Sequence, residues 1–488
     1  MSGGSRRHVV VVGAGPAGLA AARAAADAGA RVSVLDAADE PGGQYWRHLP
    51  ADRRAAREHV LHHRWGTFGA LRDALAEHPA VTVHTSAQVW SLDRLDDGDG
   101  ADAACPVRLH VLVGEPDGLG RTPLVLEPDA LVLATGAHDR TLPFPGWQLP
   151  GVVTAGAAQT LAKGERVAVG RRVVVSGAGP FLLPVASSLL RTGADVVAVH
   201  EASRAGALSR WLARPWEHAA VPGKAAELAG YVAELARHRV PWRPGEAVVA
   251  AHGDGQVEAV TVARLDARWA PVPGSERVVA ADAVAVSHGF TPRLELAVAA
   301  GCALTPGRFV AVDAAQATSV PGVWAAGEVT GIGGADAALT EGTVAGAAAA
   351  GGAVRGAVLR ARDRWRAFAA RIEAAHGVRG GWVRWLRDDT VVCRCEETTY
   401  GRLREVRELT GSRATRSVRL TSRAGLGPCQ ARVCGRTLEE LVGEPGAPTA
   451  PGTDRRTVVV PVRLGDLAAL AGPDPDPEPA PATPGDLP

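Results

Sequence analysis

The hydrophobic pattern of the amino-terminal region alternates short apolar runs with a stretch of small residues. Residues 9–12 are four valines, residues 19–26 are mostly alanine, and residues 32–35 are again mostly apolar. Unbroken apolar runs of this length are typical of strands buried on both faces of a parallel sheet, and the stretch between them has the length of a crossover helix. This region therefore predicts a strand, helix, strand unit.

The same pattern returns further along the chain. Apolar runs at 173–175 and 196–199 flank a helical stretch at 181–191, and residues 130–134 form another apolar run. Residues 107–113 alternate between apolar and polar positions, which predicts an antiparallel meander set into the first crossover. The repetition predicts an α/β fold with two Rossmann-type parallel sheets.

A glycine-rich turn follows the first predicted strand. Gly13, Gly15 and Gly18 have the GxGxxG spacing, in which the first glycine permits a sharp turn, the second admits a pyrophosphate, and the third lets the helix pack closely on the strand. Asp36 ends the next strand, where a carboxylate accepts hydrogen bonds from ribose hydroxyls and disfavours a 2′-phosphate. The motif predicts a dinucleotide site.

Two shorter motifs extend this predicted site. Gly43 and Gln44 follow the second strand, and Thr135 and Gly136 end the apolar run at 130–134. Glycine at both positions permits backbone to pass close to a bound cofactor. We therefore expect these segments to line the same site.

The second glycine turn departs from the pattern. Gly177 and Gly179 match the first two positions, but Leu182 stands at the third. A nucleotide site and a relic of the fold without a ligand therefore both stay open. If a nicotinamide binds, Glu201 favours NAD over NADP, and the nearby Arg204 softens that preference.

Four cysteines cluster near the carboxyl end. Cys393 and Cys395 form one pair and Cys429 and Cys434 another, with 33 residues between the pairs. Four thiolates hold either a 2Fe–2S cluster or a tetrahedral zinc ion, and zinc modules usually use Cys-x2-Cys pairs, which are absent here. The residues alone favour 2Fe–2S and leave zinc and free cysteines open.

Composition narrows the class of protein. The 488 residues carry a formal net charge of +1, so there is no basic footprint for nucleic acid, and no apolar run is long enough to span a bilayer. The cations are nearly all arginine, with only Lys163 and Lys224 as lysines, which we interpret as compositional bias. Six cysteines in a chain of this length do not suggest a disulfide scaffold, so we expect a cytoplasmic protein.

A further segment completes a family resemblance. Thr318 is followed after eight residues by Gly327 and Glu328, and the order of all these motifs resembles that of the glutathione-reductase-like flavoproteins, which have two dinucleotide-binding domains. The resemblance implies FAD in the first site, with Glu328 at the ribityl chain. Motifs and resemblance together predict cofactor contacts at Gly13, Gly15, Pro16, Ala17, Gly18, Asp36, Gly43, Gln44, Thr135, Gly136, Gly177, Gly179, Glu201, Gly327 and Glu328.

The cysteine segment resembles the bacterioferritin-associated-ferredoxin-like (BFD-like) 2Fe–2S domain, which implies metal ligands at Cys393, Cys395, Cys429 and Cys434. Behind a two-domain flavoprotein, it resembles the flavoprotein subunits of opine oxidases, hydrogen cyanide synthase and dye-linked proline or hydroxyproline dehydrogenases. The resemblance implies an electron-transferring subunit of an amine or amino acid dehydrogenase. Its implied partners are an amine-oxidase-type FAD subunit, through which the small amine or amino acid substrate is oxidised, and a small ferredoxin-like subunit.

Two alternatives stay open. One is a stand-alone NAD(P)H-dependent flavin reductase, with NAD(H) or another adenine nucleotide at the second site, and the other is a zinc-stabilised assembly protein without enzymatic activity. Disulfide reductase chemistry is excluded because no cysteine pair precedes Cys393. The sequence identifies no catalytic acid or base.

The expected organisation follows from these segments. We predict a first part of the FAD domain (1–165), a second dinucleotide-binding domain (166–295), a second part of the FAD domain (296–352), a helical connector (353–385), the BFD-like domain (386–445), an extension (446–471) and a disordered tail (472–488).

Overall fold

A computed structural model describes residues 6–95, 105–206, 222–443, 453–456 and 458–470. The predicted tail at 472–488 lies outside these residues. No helix in the described part of the chain combines the length and apolar character needed to cross a membrane.

Strands and helices alternate through most of the described chain. The strands are β1 (His8–Val12), β2 (Arg31–Leu35), β3 (Val81–His84), β4 (Ala87–Arg94), β5 (Val107–Val113), β6 (Thr122–Leu126), β7 (Ala130–Leu133), β8 (Ala137–Asp139), β9 (Val152–Thr154), β10 (Arg172–Gly177), β11 (Asp195–Glu201), β12 (Trp242–Pro244), β13 (Glu246–His252), β14 (Ala259–Arg264), β15 (Arg277–Ala280), β16 (Ala283–Ser287), β17 (Phe290–Pro292), β18 (Val323–Ala325), β19 (Val391–Cys393) and β20 (Thr398–Thr399).

The helices are α1 (Pro16–Asp27), α2 (Trp65–Ala76), α3 (Ala155–Thr160), α4 (Leu182–Arg191), α5 (Pro222–Arg237), α6 (Glu295–Ala299), α7 (Gly334–Ala349), α8 (Gly356–His376), α9 (Tyr400–Thr410), α10 (Thr415–Ser422), α11 (Gly435–Val442) and α12 (Leu464–Leu470). Short 3₁₀ turns lie at Ala51–Arg53, Glu58–Leu61 and Gly380–Trp385, and a π-helical turn, Leu161–Glu165, follows α3 directly.

The first sheet confirms the predicted parallel unit. Its strand order is β18-β7-β1-β2-β3, and β1 pairs in parallel with both β2 and β7. Helix α7 packs on α1 through small residues, because a Cβ on Gly342 or Gly346 would lie 2.0 Å from a carbonyl oxygen of α1. The alanine-rich and glycine-rich composition of the two helices therefore permits close packing beneath the first glycine turn.

The second sheet begins earlier in the chain than the expected boundary at residue 166. Its strand order is β12-β11-β10-β16-β9, and β9 pairs in parallel with β16. A three-residue strand is too short for the pattern of apolar residues to show which sheet it joins. Helices α3 and α4 pack against this sheet through buried alanine, valine and leucine side chains.

Antiparallel elements accompany both sheets. The predicted meander is present as β4-β5-β6, and β13-β14-β15 forms a second one. A two-stranded ribbon of β8 and β17 joins the segment after the first sheet to the segment after the second, with His138 opposite Thr291. This ribbon places the exits of the two sheets side by side.

The carboxyl-terminal module packs on the second domain. Trp382 and Trp385 share a buried core with Trp269 and Val249, and Cys393 and Cys434 belong to the same core. The indole of Trp385 donates a hydrogen bond to the carbonyl oxygen of Trp269 at 2.9 Å. The cysteine-bearing segment is therefore held against the second domain by a shared apolar core.

Candidate functional site

The first glycine turn has the close packing that the motif requires. Gly13 has φ +106°, and a Cβ there would lie 2.3 Å from the carbonyl oxygen of Ala134. A Cβ on Gly18 would lie 1.7 Å from the carbonyl oxygen of Gly13. Gly15 differs, because its Cβ would meet only the Cα of Gly43, at 3.9 Å. The two outer glycines therefore hold the turn together, and the middle one faces open space.

The open space in front of Gly15 is suited to an anion. Helix α1 begins at Pro16 with no side-chain cap and no acidic residue in its first turn. Its first N–H groups and the positive end of its dipole are therefore available to a phosphate. The geometry fits the pyrophosphate of a dinucleotide.

Asp36 lies beside this turn. Its carboxylate accepts hydrogen bonds from the backbone N–H groups of Ala14 and of Ala38, the latter at 2.8 Å. Burial raises the pKa of Asp36, and the two backbone hydrogen bonds oppose that effect. The side chain also lines the cavity in front of this turn, which is the position expected of a residue that accepts hydrogen bonds from a ribose.

Glu328 also lines the cavity. It accepts a hydrogen bond from the backbone N–H of Gly334, at the start of α7, at 2.9 Å. Its pKa is raised to about 7, chiefly by burial; the hydrogen bond opposes this rise and the charge of the nearby Glu341 carboxylate adds to it. Gly327 has φ +81°, and its Cβ would lie 2.8 Å from that of Ala17, so only glycine fits between the two helices.

The second glycine turn is more covered. A Cβ on Gly177 would lie 1.6 Å from the carbonyl oxygen of Ser287, whereas one on Gly179 would meet the Cβ of His376 at 3.7 Å. Glu201 is 3% exposed and accepts from the N–H groups of Gly179 and Ser203, both at 2.9 Å. The His376 ring nitrogen Nδ1 lies 3.4 Å from the same carboxylate. The end of α8 therefore lies over this turn.

Both glycine turns open into one cavity of about 2190 Å³. This volume exceeds the range of about 300–1,000 Å³ that is usual for a small-molecule pocket. The predicted cofactor residues that line the cavity are Gly13, Gly15, Pro16, Ala17, Asp36, Gly43, Gln44, Thr135, Gly136, Gly179, Glu201 and Glu328. Gly18, Gly177 and Gly327 lie behind its wall, where they set backbone packing.

The four clustered cysteines form two pairs. Cys393 and Cys434 share a thiol hydrogen bond, which lowers the pKa of Cys393 to about 6 and raises that of Cys434. Cys395 and Cys429 form the other pair, and burial is the main cause that raises the pKa of Cys395. The backbone N–H of Gly425 donates to the sulfur of Cys393 at 3.2 Å. Within the described ranges, no group of three or more His, Cys, Asp or Glu side chains is arranged around one metal ion.

A short segment joins the cavity to the cysteines. Thr135 and Gly136 line the cavity, and two residues later His138 Nε2 lies 3.0 Å from the carbonyl oxygen of Arg432. Burial lowers the pKa of His138, so the neutral ring donates this hydrogen bond. Thr141 donates to the carbonyl oxygen of Val433 at 3.0 Å. The segment thus contacts the loop between Cys429 and Cys434.

The family of the chain is decided by a match over most of its length. The model of the family described as pyridine nucleotide-disulphide oxidoreductase matches residues 7–345. The chain belongs to the pyridine nucleotide-disulphide oxidoreductase family. The match covers both glycine turns and ends within α7, so the cysteine pairs lie outside it.

Curated relatives of this family member extend the match to the carboxyl-terminal region. An opine oxidase subunit of Agrobacterium tumefaciens (strain Ach5) is 33% identical, covering 95% of this chain and 91% of that protein. Hydrogen cyanide synthase subunit HcnB of Pseudomonas aeruginosa is 32% identical, covering 87% of this chain and 90% of that protein. The predictions of a flavin-dependent oxidoreductase and of its relatedness to these two groups are confirmed.

A solved structure supports the architecture. That of L-proline dehydrogenase from P. horikoshii matches with a TM-score of 0.61, covering 94% of this chain and 79% of that chain at 17% sequence identity. The two-domain Rossmann-type fold is therefore confirmed. The family name includes a disulphide, but within residues 7–345 the only cysteines are Cys105 and Cys302. Both are free and buried in the core that packs on β1 and β7.

Several residues that line the cavity were not identified from the sequence. Lys163 and Lys224 both line it, together with His63, Tyr231 and His288. Both ring nitrogens of His288 are buried without a hydrogen-bond partner among the residues that the structure describes, and burial lowers its pKa to about 3. His63 and Tyr231 have no sequence signal, and the only signal for His288 is its place just after the apolar run at 283–286. The two lysines do have a sequence signal, because they are the only lysines in the chain. Composition alone does not show that they lie in a common site.

Proposed function

We propose that this chain is the electron-transferring flavoprotein subunit of a multi-subunit amine or amino acid dehydrogenase of the opine, glycine, proline or hydroxyproline type. FAD would lie along the first glycine turn, with Gly15, Asp36 and Glu328 as contacts, and a 2Fe–2S cluster would be held by Cys393, Cys395, Cys429 and Cys434. FAD accepts a hydride as two electrons and a 2Fe–2S centre moves one at a time, so the pair would connect substrate oxidation to one-electron carriers.

The contact between the cavity and the cysteine loop carries this proposal. Gly136 lines the cavity, Thr141 contacts Val433, and five residues of extended chain span at most about 18 Å. His138 shortens the route, because its hydrogen bond reaches Arg432, two residues before Cys434. A redox group at the cysteines would therefore be anchored to the backbone that lines the flavin cleft.

The arrangement of the thiols is compatible with a cluster of two irons. The described thiols form two pairs, Cys393 with Cys434 and Cys395 with Cys429, and the pairs lie close enough to influence each other's pKa. Each iron of a 2Fe–2S centre takes two protein ligands. The N–H of Gly425, which donates to the Cys393 sulfur, is the kind of hydrogen bond that stabilises a thiolate ligand.

The relatives support the expectation of a partner. The opine oxidase relative and hydrogen cyanide synthase subunit HcnB are both subunits by name. We therefore propose that the partner that oxidises the substrate is an amine-oxidase-type FAD subunit, and that a further carrier is a small ferredoxin-like subunit. With the partner added, the complex should reduce a dye when an amino acid is supplied, and this chain alone should not.

Metal and flavin analysis of anaerobically purified protein tests the cofactor assignment. We expect one flavin and about two irons per chain, with a broad absorbance shoulder under the flavin bands. Cys395→Ala removes an exposed thiol without creating a core cavity, and it should lose the iron and keep the flavin. Cys302→Ala, which changes a thiol outside the module, is the matched control and should keep both. Zinc in place of iron in the unsubstituted protein would refute the electron-transfer proposal.

A further inference from the structure

The two lysines of the chain share one cavity. Lys and Arg together number 53, and only Lys163 and Lys224 are lysine. Both line the cavity, whereas most of the arginines lie elsewhere. Arginine is a permanently charged fork, while lysine is a compact charge that can lose its proton when it is buried. In a chain whose cations are almost all arginine, both lysines therefore lie in one site, where the two side chains are not equivalent.

The two lysines have different surroundings. Lys224 lies 2.7 Å from a carboxylate oxygen of Glu227 and 3.1 Å from one of Asp336, so its charge is balanced. Lys163 is 5% exposed, and its ammonium donates a hydrogen bond to the carbonyl oxygen of Tyr45 at 3.0 Å. None of the described carboxylates forms an ion pair with Lys163, and burial lowers its pKa to about 8. Lys163 is thus a buried cation without a counter-ion among the described residues.

The neighbours of Lys163 do not supply the missing negative charge. Its Nζ lies 5.4 Å from the centroid of the Tyr45 ring. His62 and His63 have pKa values lowered by burial, and the charge of Lys163 lowers them further. Glu58, on the adjoining 3₁₀ turn, is paired with Arg166. The remaining charged groups around the π-helical turn are Arg47, whose side chain packs beside Gly164, and the exposed Glu165.

An unpaired ammonium in a cavity calls for an anion. A buried charge without a partner is costly, and an ion pair that is also hydrogen-bonded offsets that cost. Lys163 has three N–H donors and gives one to Tyr45, so two are available to a ligand in the cavity. The adjacent pair of Tyr231 and His63, whose Oη and Nε2 atoms lie 2.6 Å apart, offers neutral polar groups beside the charge.

We propose that Lys163 binds the carboxylate of a small organic acid in this cavity, so that the chain has a carboxylate site of its own. The ammonium and the carboxylate would form a hydrogen-bonded ion pair. Lys224 and Arg64 already neutralise the neighbouring carboxylates of Glu227 and Asp336. This inference does not depend on the cysteine cluster or on a second protein chain.

Isotope labelling of the two lysines tests the proposed carboxylate site. Protein made with ¹³Cε-lysine gives two lysine signals, and Lys224→Arg removes one of them and so assigns the other. We expect the Lys163 signal to titrate near pH 8, and to titrate about one pH unit higher, a tenfold change in proton affinity, with saturating acetate, pyruvate or benzoate. Acetamide, which has the same shape as acetate without its charge, should leave it unchanged. An unchanged Lys163 titration with all three acids would overturn the proposal.

Removal of the flavin tests whether the flavin itself is the anionic partner of Lys163. If a flavin oxygen were the anion that Lys163 pairs with, its titration would shift in the flavin-loaded protein and revert on flavin removal, without any response to carboxylates, and the proposal would fail. The flavin content is read from absorbance on the same sample, so a failure of the proposed flavin assignment is seen separately. Neither reading requires catalytic activity.

Thermal unfolding gives a check that does not rely on the lysine signal. Acetate should raise the Tm of the unsubstituted protein, because a ligand that binds the folded state stabilises it, and this rise should weaken above pH 8, where Lys163 loses its charge. Lys163→Met should abolish the rise. Arg23→Met removes an exposed cation on α1 and should keep the rise. A rise that persists in Lys163→Met would contradict the assignment.

Discussion

The two glycine-rich turns follow equivalent strands, but they differ in what lies in front of them. At the first turn, Gly15 faces open space and the start of α1 has no cap. At the second, Gly179 faces His376, whose ring nitrogen Nδ1 lies 3.4 Å from the Glu201 carboxylate. The same fold thus presents one phosphate-binding turn ready for a ligand and another that the end of α8 covers.

The difference shows that two domains of the same architecture can have different roles in one chain. The first domain keeps all three motif glycines and leaves the middle one accessible. The second domain supplies the surface on which the connector and the cysteine module pack, through Trp269, Trp382 and Trp385. The similarity of the two motifs therefore does not imply equal use of the two sites.

The largest effect is expected from Gly18→Ala. A Cβ there would lie 1.7 Å from the carbonyl oxygen of Gly13, so α1 must move away from β1 and the phosphate site is lost. Purified Gly18→Ala protein should contain no flavin by absorbance. Gly66→Ala, in the exposed part of α2 with nothing within 4 Å, is the control and should keep its flavin. Retention of flavin by Gly18→Ala would mean that the first turn is not the binding site.

The second prediction concerns pH. Because burial raises the pKa of Glu328 to about 7, the folded protein binds a proton that the unfolded chain lacks between about pH 4.3 and pH 7. The stability of flavin-free protein should therefore fall by up to about 3 kcal/mol as the pH rises through this window. Denaturant unfolding at several pH values measures it. Glu328→Gln should flatten the profile, and an unchanged profile in that variant would assign the effect elsewhere.

A third, smaller effect separates binding from folding. Gly15 has φ −75°, and its added Cβ would meet only Gly43 at 3.9 Å, so Gly15→Ala should fold with a stability within about 0.5 kcal/mol of the original. The methyl group would occupy the phosphate space, and FAD affinity should fall about tenfold. Titration of flavin-free protein with FAD measures this. An unchanged affinity would show that the pyrophosphate does not approach Gly15.

The smallest effect tests the covered turn. His376→Ala removes the ring that lies 3.4 Å from Glu201 and over Gly179, so NADH affinity should rise about threefold, or about 0.6 kcal/mol, by calorimetric titration. His78→Ala changes a histidine elsewhere, at the end of α2, and should leave it unaltered. A fall in affinity in His376→Ala would show that His376 contributes to a nucleotide site instead of covering one.

The features that could be predicted from the sequence are those set by residues close to one another along the chain. Gly13 and Gly18 lie in one turn and helix, and Asp36 directly follows the next strand, so local spacing was sufficient to predict their positions. The contact of His376 with Glu201 joins residues 175 positions apart, and no local pattern encodes it. Lys163 was visible as a rare residue, but its burial depends on a π-helical turn that periodicity does not indicate. The three-residue strand β9 was too short to assign to the second sheet.

One measurement tests the central claim most directly. The flavin of anaerobic, full-length protein would be reduced by light with a sacrificial donor, and frozen samples would be followed by electron paramagnetic resonance. The account predicts that a reduced 2Fe–2S signal appears as flavin absorbance is bleached, and that Cys395→Ala bleaches without that signal. A bleached flavin with no cluster signal in protein that contains two irons per chain would contradict electron transfer between the cleft and the cysteines.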